Sequence, residues 1–280
     1  MTGHGGQSMS DLRVHHLSCA HLKRLKMSGL QFVCHVLLIE TPNSGLVLVD
    51  SGLGTADYRA INSRLGWGFA SGYAKPVIDP ALAAITQVQA LGFDPRDVRH
   101  IVQTHLDLDH VGGLSDFPWA AVHVHETERQ VALARKGLKA RGRYRPLMWA
   151  HHPNWQTYSE EGEPWFGFRA VRSLEGLPEE ILAIPLFGHT HGHCGIAIET
   201  ADGWLLDAGD SFFDPREVNG PRRVCDTRVR LFEAVVTTNR PLRVANQDRL
   251  RAFITQRPDV DVFSAHDPAA YRAHAERSLS

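Results

Sequence analysis

The stretch THLDLDHVGG, residues 104 to 113, packs His105, Asp107, Asp109 and His110 into one short span and follows them with a Gly-Gly pair. A carboxylate buried without a partner is costly, and a solvated acidic loop has no use for imidazoles at both ends. A bound cation removes both difficulties. The stretch continues directly from RHIVQT, a β-type run, so the fold must bring a strand end, with its short following turn, to a site where cations bind.

Other strand ends repeat the pattern. His189 follows ILAIPLFG, Asp210 follows GWLLDAG and His266 follows DVFSA. Four β-type runs each deliver a ligand-type side chain just past their carboxyl end. Neutral imidazole and carboxylate are ligands that zinc, iron and manganese accept, and the full set exceeds the four ligands of one tetrahedral site. Two divalent metal ions are implied.

The blocks THLDLDHVGG, FGHTHGH, DAGDSFF and FSAHD, in this order, with LVDSGLG upstream, resemble the metallo-β-lactamase superfamily of dinuclear metallohydrolases over roughly residues 31 to 270. The resemblance implies an αββα sandwich of two mixed β-sheets flanked by helices, with the site at one edge between the sheets. It implies one metal held by His105, Asp107 and His189, a second by Asp109, His110 and His266, and Asp210 as the bridge. The family pattern HxHxDH reads here with Asp107 in place of the second histidine. A carboxylate at that place is similar to the iron-binding flavodiiron branch, so zinc is expected first, with iron or manganese in contention.

The remaining elements fit that frame. QFVCHVLLIE (31 to 40) and GLVLVD (45 to 50) flank the hairpin-type turn TPNSG, and AAVHVH (120 to 125) and CGIAIET (194 to 200) are further strands. Helical stretches are expected over 80 to 92, 125 to 138 and 246 to 258. Consecutive strands joined by tight turns exclude a purely parallel sheet, and the helices exclude an all-β barrel. One domain is expected over 11 to 280 after a flexible tail at 1 to 10, with an insertion at about 136 to 175.

Lys and Arg total 30 against 31 Asp and Glu, a net charge of −1, which gives nucleic acid or an anionic membrane no field to follow. No run of about 18 apolar residues is present. The four cysteines, at 19, 34, 194 and 225, form no CxxC pair. A cytoplasmic protein acting on a small molecule is expected, with self-association into a homodimer left open.

Hydrolysis of a lactone, ester or related acyl substrate is the expected reaction, with Asp109 orienting the attacking water and passing its proton on. The chain looks most like lactonase-type members, which commonly carry a tyrosine three residues after the bridging aspartate. Here that residue is Phe213. The aromatic insertion is expected to wall the substrate through Trp149, Trp155, Trp165 and Phe166. Arg141, Arg143 and Arg145 read as a solvated face ahead of a contact to a carboxylate or phosphate of the substrate, and Asp50 as a turn residue bonding its own backbone ahead of a buttress for the metal edge. His193 is expected to fix its loop by hydrogen bonds, while His35, His123 and His125 read as ordinary polar residues and Cys194 as a small buried one. The alternatives are a phosphodiesterase and a flavodiiron-like oxidoreductase lacking its electron-donor domain.

Overall fold

In the computed structural model, which describes residues 11–23, 31–159 and 162–277, twelve strands form two mixed sheets. The first sheet runs β1 (Arg13–Lys23), β2 (Gln31–Glu40), β3 (Leu46–Val49), β4 (Val98–Val102), β5 (Ala121–His125) and β6 (Asn154–Tyr158) in spatial as well as chain order. Its first three strands are antiparallel and the rest parallel. The second sheet holds β7 (Glu163–Trp165), β8 (Phe168–Ser173), β9 (Ile181–Pro185), β10 (Cys194–Thr200), β11 (Gly203–Asp207) and β12 (Asp261–Phe263). It is antiparallel as far as β11, and β12 adds on parallel. The helices are α1 (Thr55–Arg59), α2 (Ile61–Leu65), α3 (Ala84–Ala90), α4 (Leu108–Val111), α5 (Glu126–Ala134), α6 (Gly137–Arg143), α7 (Thr227–Val236), α8 (Arg240–Gln256) and α9 (Pro268–Arg277).

Side-chain alternation explains why the central strands are apolar on both faces. Leu37 and Ile39 of β2, Val47 and Val49 of β3, and Ile196 and Ile198 of β10 meet in one buried cluster between the sheets. Their neighbours Leu38 and Leu48 face outward into a second cluster beneath α3 and α5, where Val88 and Ala132 contribute. On the far side, Leu182, Ile184 and Ala197 join Leu250 and Phe253 of α8. Four layers result, helix on sheet on sheet on helix, as the αββα expectation requires. None of the described helices is long and apolar enough to cross a membrane.

Two segments differ from the reading of the sequence. RVHHLSCAHLK builds β1, which no clean alternation announces: its pairing with β2 breaks register between Ser18 and His21. The stretch at 136 to 175 supplies α6, then β6 at the edge of the first sheet, then β7 and β8 in the second. It is the crossing from sheet to sheet, where no single periodicity can hold. The tail expected at 1 to 10 lies outside the described residues.

The Gly-Gly pair has a packing cause. A Cβ at Gly112 would collide with the Asp57 carboxylate, and one at Gly113 with the Ser51 carbonyl. Two bare backbones let the loop after β3 lie directly against the loop that carries the histidines.

Candidate metal centre

Parallel pairing of β3, β4 and β5 leaves their carboxyl ends on one edge, and β9, β11 and β12 end at the same edge of the facing sheet. His105 follows β4, and a short turn in which His110 N donates to Asp107 O at 3.0 Å sets Asp109 and His110 beside it. His189 follows β9, Asp210 follows β11 and His266 follows β12. The chain thus brings all seven residues to one buried spot.

The two oxygens of Asp210 face different nitrogens. Oδ2 lies 3.3 Å from His189 Nε2 and 3.8 Å from His105 Nε2, whereas Oδ1 lies 3.4 Å from His110 Nε2 and 3.2 Å from His266 Nε2. Asp107 Oδ2 joins the first group, 3.0 Å from His189 Nε2 and 3.5 Å from His105 Nε2. Asp109 Oδ2 joins the second, 3.6 Å from His266 Nε2.

This donor set fits divalent metal ions. His105 Nε2 and Asp210 Oδ1 are buried and have no hydrogen-bond partner among the described residues. His110 Nδ1 is 2.7 Å from Asp50 Oδ2 and His266 Nδ1 is 2.7 Å from Val33 O, so each ring donates outward and turns its other nitrogen to the centre. His105, His189 and Asp210 on one side and His110, Asp210 and His266 on the other bring their ligand atoms within 4.8 Å of one another, a spacing at which imidazole and carboxylate groups can share a cation.

Titration follows the same logic. Burial pushes the His105 imidazole down, and the neighbouring His110 adds to this. Burial opposes the charge on Asp210 and Asp107, but His266 and His110 for the one, and Arg143 and His105 for the other, hold both carboxyls well below the usual range. Asp109 is pushed up by burial. His110 is raised to about 10 because Asp210 and Asp50 outweigh its burial. Without metal His110 keeps a proton that a cation must displace, while Asp107 and Asp210 are already deprotonated.

Supporting residues complete the site, and one reading needs correction. Asp50 does not bond its own turn: Oδ1 accepts from Thr104 N at 2.8 Å, and Oδ2 accepts from Thr104 Oγ1 at 2.7 Å and from His110. The parallel pairing of β3 with β4 is the reason, since it sets the residue after β3 beside those after β4. His193 behaves as expected. Its Nδ1 donates to Leu186 O at 3.0 Å and its Nε2 accepts from Asp210 N at 2.9 Å, with burial holding the ring neutral at a pKa of about 3. Glu128 was not legible in the sequence: fully buried, it accepts from Leu106 N, Gly192 N and Tyr144 Oη at 3.0 to 3.1 Å and so ties both histidine loops to α5. Cys34 was missed as well, with Sγ 3.9 Å from Asp109 Oδ2. His35, His123 and Cys194 lie in the core, and buried His125 caps α5.

A cavity opens onto this centre, lined by Asp107, Asp109, His189, Asp210 and His266 on one side and by Phe32, Phe69, Phe213 and Phe232, with Leu22 and Val236, on the other. An adjoining cleft of about 270 Å³ continues past Asp107 and Asp109 to Lys139 and Arg143. Phe213 stacks on His266 with ring centroids 5.3 Å apart. The other aromatics expected in the wall lie elsewhere. Trp165 is buried among Phe168, Trp204 and Phe253 on the outer face of the second sheet, with Phe166 exposed next to it beneath Arg257. Trp155 lies on β6 near Arg129, and Trp149 packs at the margin of the first helical layer. The crossing between sheets carries these four away from the cavity. Leu22, Phe32, Phe69, Phe232 and Val236 take their place, drawn from segments without any motif. Arg143, read as part of a solvated face, turns inward, whereas Arg141 stays exposed and Arg145 donates to Ser63 O.

Comparison with known proteins agrees with this geometry. Residues 29–266 match the model of the metallo-beta-lactamase superfamily. A probable metallo-hydrolase of Mycobacterium tuberculosis is 37% identical over 262 residues, covering 93% of this chain and 82% of that protein. An N-acyl homoserine lactonase of Rhizobium johnstonii is 28% identical over 276 residues, covering 94% and 96%. Among solved structures, an N-acyl homoserine lactone hydrolase with N-hexanoyl-L-homoserine at its metal centre superposes with a TM-score of 0.70 at 20% identity, covering 95% of this chain and 96% of that one. With the family model matched across most of its length and a buried His and Asp donor set at the sheet edge, the chain belongs to the metallo-beta-lactamase superfamily and is a metal-dependent hydrolase.

Proposed function

We propose that the protein hydrolyses a lactone, ester or related acyl bond with the help of two divalent metal ions, zinc first among them. The observation that carries this reading is the division of Asp210, whose two oxygens face two separate nitrogen sets. His105, Asp107 and His189 would hold one ion and Asp109, His110 and His266 the other, with Asp210 facing both sets. When bound, the pair supplies Lewis acidity, which activates water near neutral pH and polarises the acyl oxygen.

The chain's own residues do the rest. Asp109, whose carboxyl burial pushes up, takes a proton from the attacking water and passes it to the leaving oxygen. Asp50 and Val33 O orient the His110 and His266 rings. The phenylalanine-lined wall favours an apolar acyl portion over a phosphodiester and excludes water around it. The named lactonase relatives support an acyl substrate. Phe213 has no hydroxyl to offer the carbonyl, so that donor role passes to another group.

Elemental analysis of protein purified without chelator, followed by turnover of a panel of chromogenic esters, lactones and phosphodiesters, tests the proposal. Close to two ions per chain and acyl turnover abolished by chelation are expected. Fully active protein with well under one ion per chain refutes the dinuclear reading, and turnover confined to phosphodiesters refutes the acyl substrate.

A further inference from the structure

Arg143 is the last residue of α6, and its side chain is only 9% exposed. Its Nε lies 3.4 Å from Asp107 Oδ1, Nη1 donates to His189 O at 3.3 Å, and Nη2 donates to Val236 O near the end of α7. Asp107 therefore has two faces. One oxygen looks at the guanidinium, and the other looks into the nitrogen set formed by His105 and His189. The guanidinium touches a candidate ligand's side chain and the backbone of another, on the side away from the centre.

An imidazole binds a metal as a neutral ligand, whereas a carboxylate adds a full negative charge to a site that already holds Asp109 and Asp210. A guanidinium stays charged at any working pH and, so deeply enclosed, needs a carboxylate to face. We propose that Asp107 and Arg143 act as one unit in place of a neutral histidine ligand, Asp107 supplying the oxygen and Arg143, a positioning residue, cancelling its charge and fixing its orientation. The inference rests on Asp107 being a ligand.

The unit makes an asymmetric forecast. Restoring the family's histidine alone strands the guanidinium beside the cation, so Asp107→His weakens metal binding although it introduces a good ligand. Removing the positive charge as well repairs the site. Arg143→Gln is the suitable partner because an amide still donates to the His189 or Val236 carbonyl, and Arg143→Met serves if the glutamine variant fails to fold.

Metal affinity is measured by chelator competition with zinc and with manganese on wild type, Asp107→Ala, Asp107→His, Arg143→Gln and Asp107→His/Arg143→Gln, each checked by thermal melting. A loss of about ten-fold or more in Asp107→His, with most of it regained in the double variant, is expected. A double variant no tighter than Asp107→His overturns the unit and leaves Arg143 as a strut between α6 and α7. Unchanged metal content in Asp107→Ala overturns the ligand role of Asp107, and the unit with it, while leaving the other six ligands and the hydrolytic reading standing.

Discussion

Replacing Asp50 with asparagine isolates the electrostatic part of metal-site support. Asp50 adopts φ 59°, a left-handed conformation that asparagine tolerates, so the backbone survives the change. The native carboxylate accepts three hydrogen bonds, from Thr104 N, Thr104 Oγ1 and His110 Nδ1, at 2.7 to 2.8 Å. An amide keeps one oxygen. Placed to satisfy Thr104 N, it points its NH2 at His110 Nδ1, where donor meets donor. His110 then either turns its ring or holds its proton on Nε2, and in both cases its metal-facing lone pair is compromised. Losing such a support costs about 10- to 100-fold in metal affinity, or about 1.4 to 2.7 kcal/mol. The loss of a hydrogen bond to a charged group adds about 1.5 to 3 kcal/mol of destabilisation in the metal-free protein. Chelator competition and denaturant unfolding of the apo forms measure the two effects. Unaltered affinity for both ions in folded Asp50→Asn would refute the claim that this carboxylate sets the His110 tautomer.

Three further outcomes are expected. Trp165→Ala removes a buried ring from the cluster under α8 and should cost about 3 to 5 kcal/mol of stability while leaving metal content and kcat/KM untouched, because the ring does not line the cavity; an activity loss at unchanged stability would return it to the substrate wall. Phe232→Ala opens the apolar wall and should lower kcat/KM about ten-fold on the best acyl substrate with both metals retained, an effect that kinetics together with elemental analysis would disprove if kcat/KM stayed constant. Burial, and next the neighbouring His100, lower the pKa of His123 from 6.5 to about 4, so between those values the native state binds fewer protons than the unfolded chain. Its contribution, about 3 kcal/mol, is present above pH 6.5 and is lost as the pH falls toward 4. His123→Leu should therefore show a shallower fall in unfolding free energy between pH 7 and 5 than wild type, and parallel curves would contradict this.

The residues of the sequence made the metal chemistry legible because ligand types cluster locally and strands announce their own ends. THLDLDHVGG holds four candidate ligands in one turn, and the positions of His189, Asp210 and His266 after apolar runs showed that separate strands converge. The apolar runs QFVCHVLLIE, GLVLVD and CGIAIET likewise announced β2, β3 and β10 as strands. What only the tertiary structure decided were the relations between distant segments. Asp50 meets His110 because β3 and β4 lie parallel, Glu128 reaches both histidine loops from α5, and Arg143 turns inward because α7 ends where its guanidinium can donate. The cavity beside the centre is lined by Phe32, Phe69 and Phe232 rather than by the tryptophans for the same reason. Ligand chemistry is a property of residue type and short spacing, whereas burial, charge pairing and the lining of a cavity depend on which surfaces the sheets bring together.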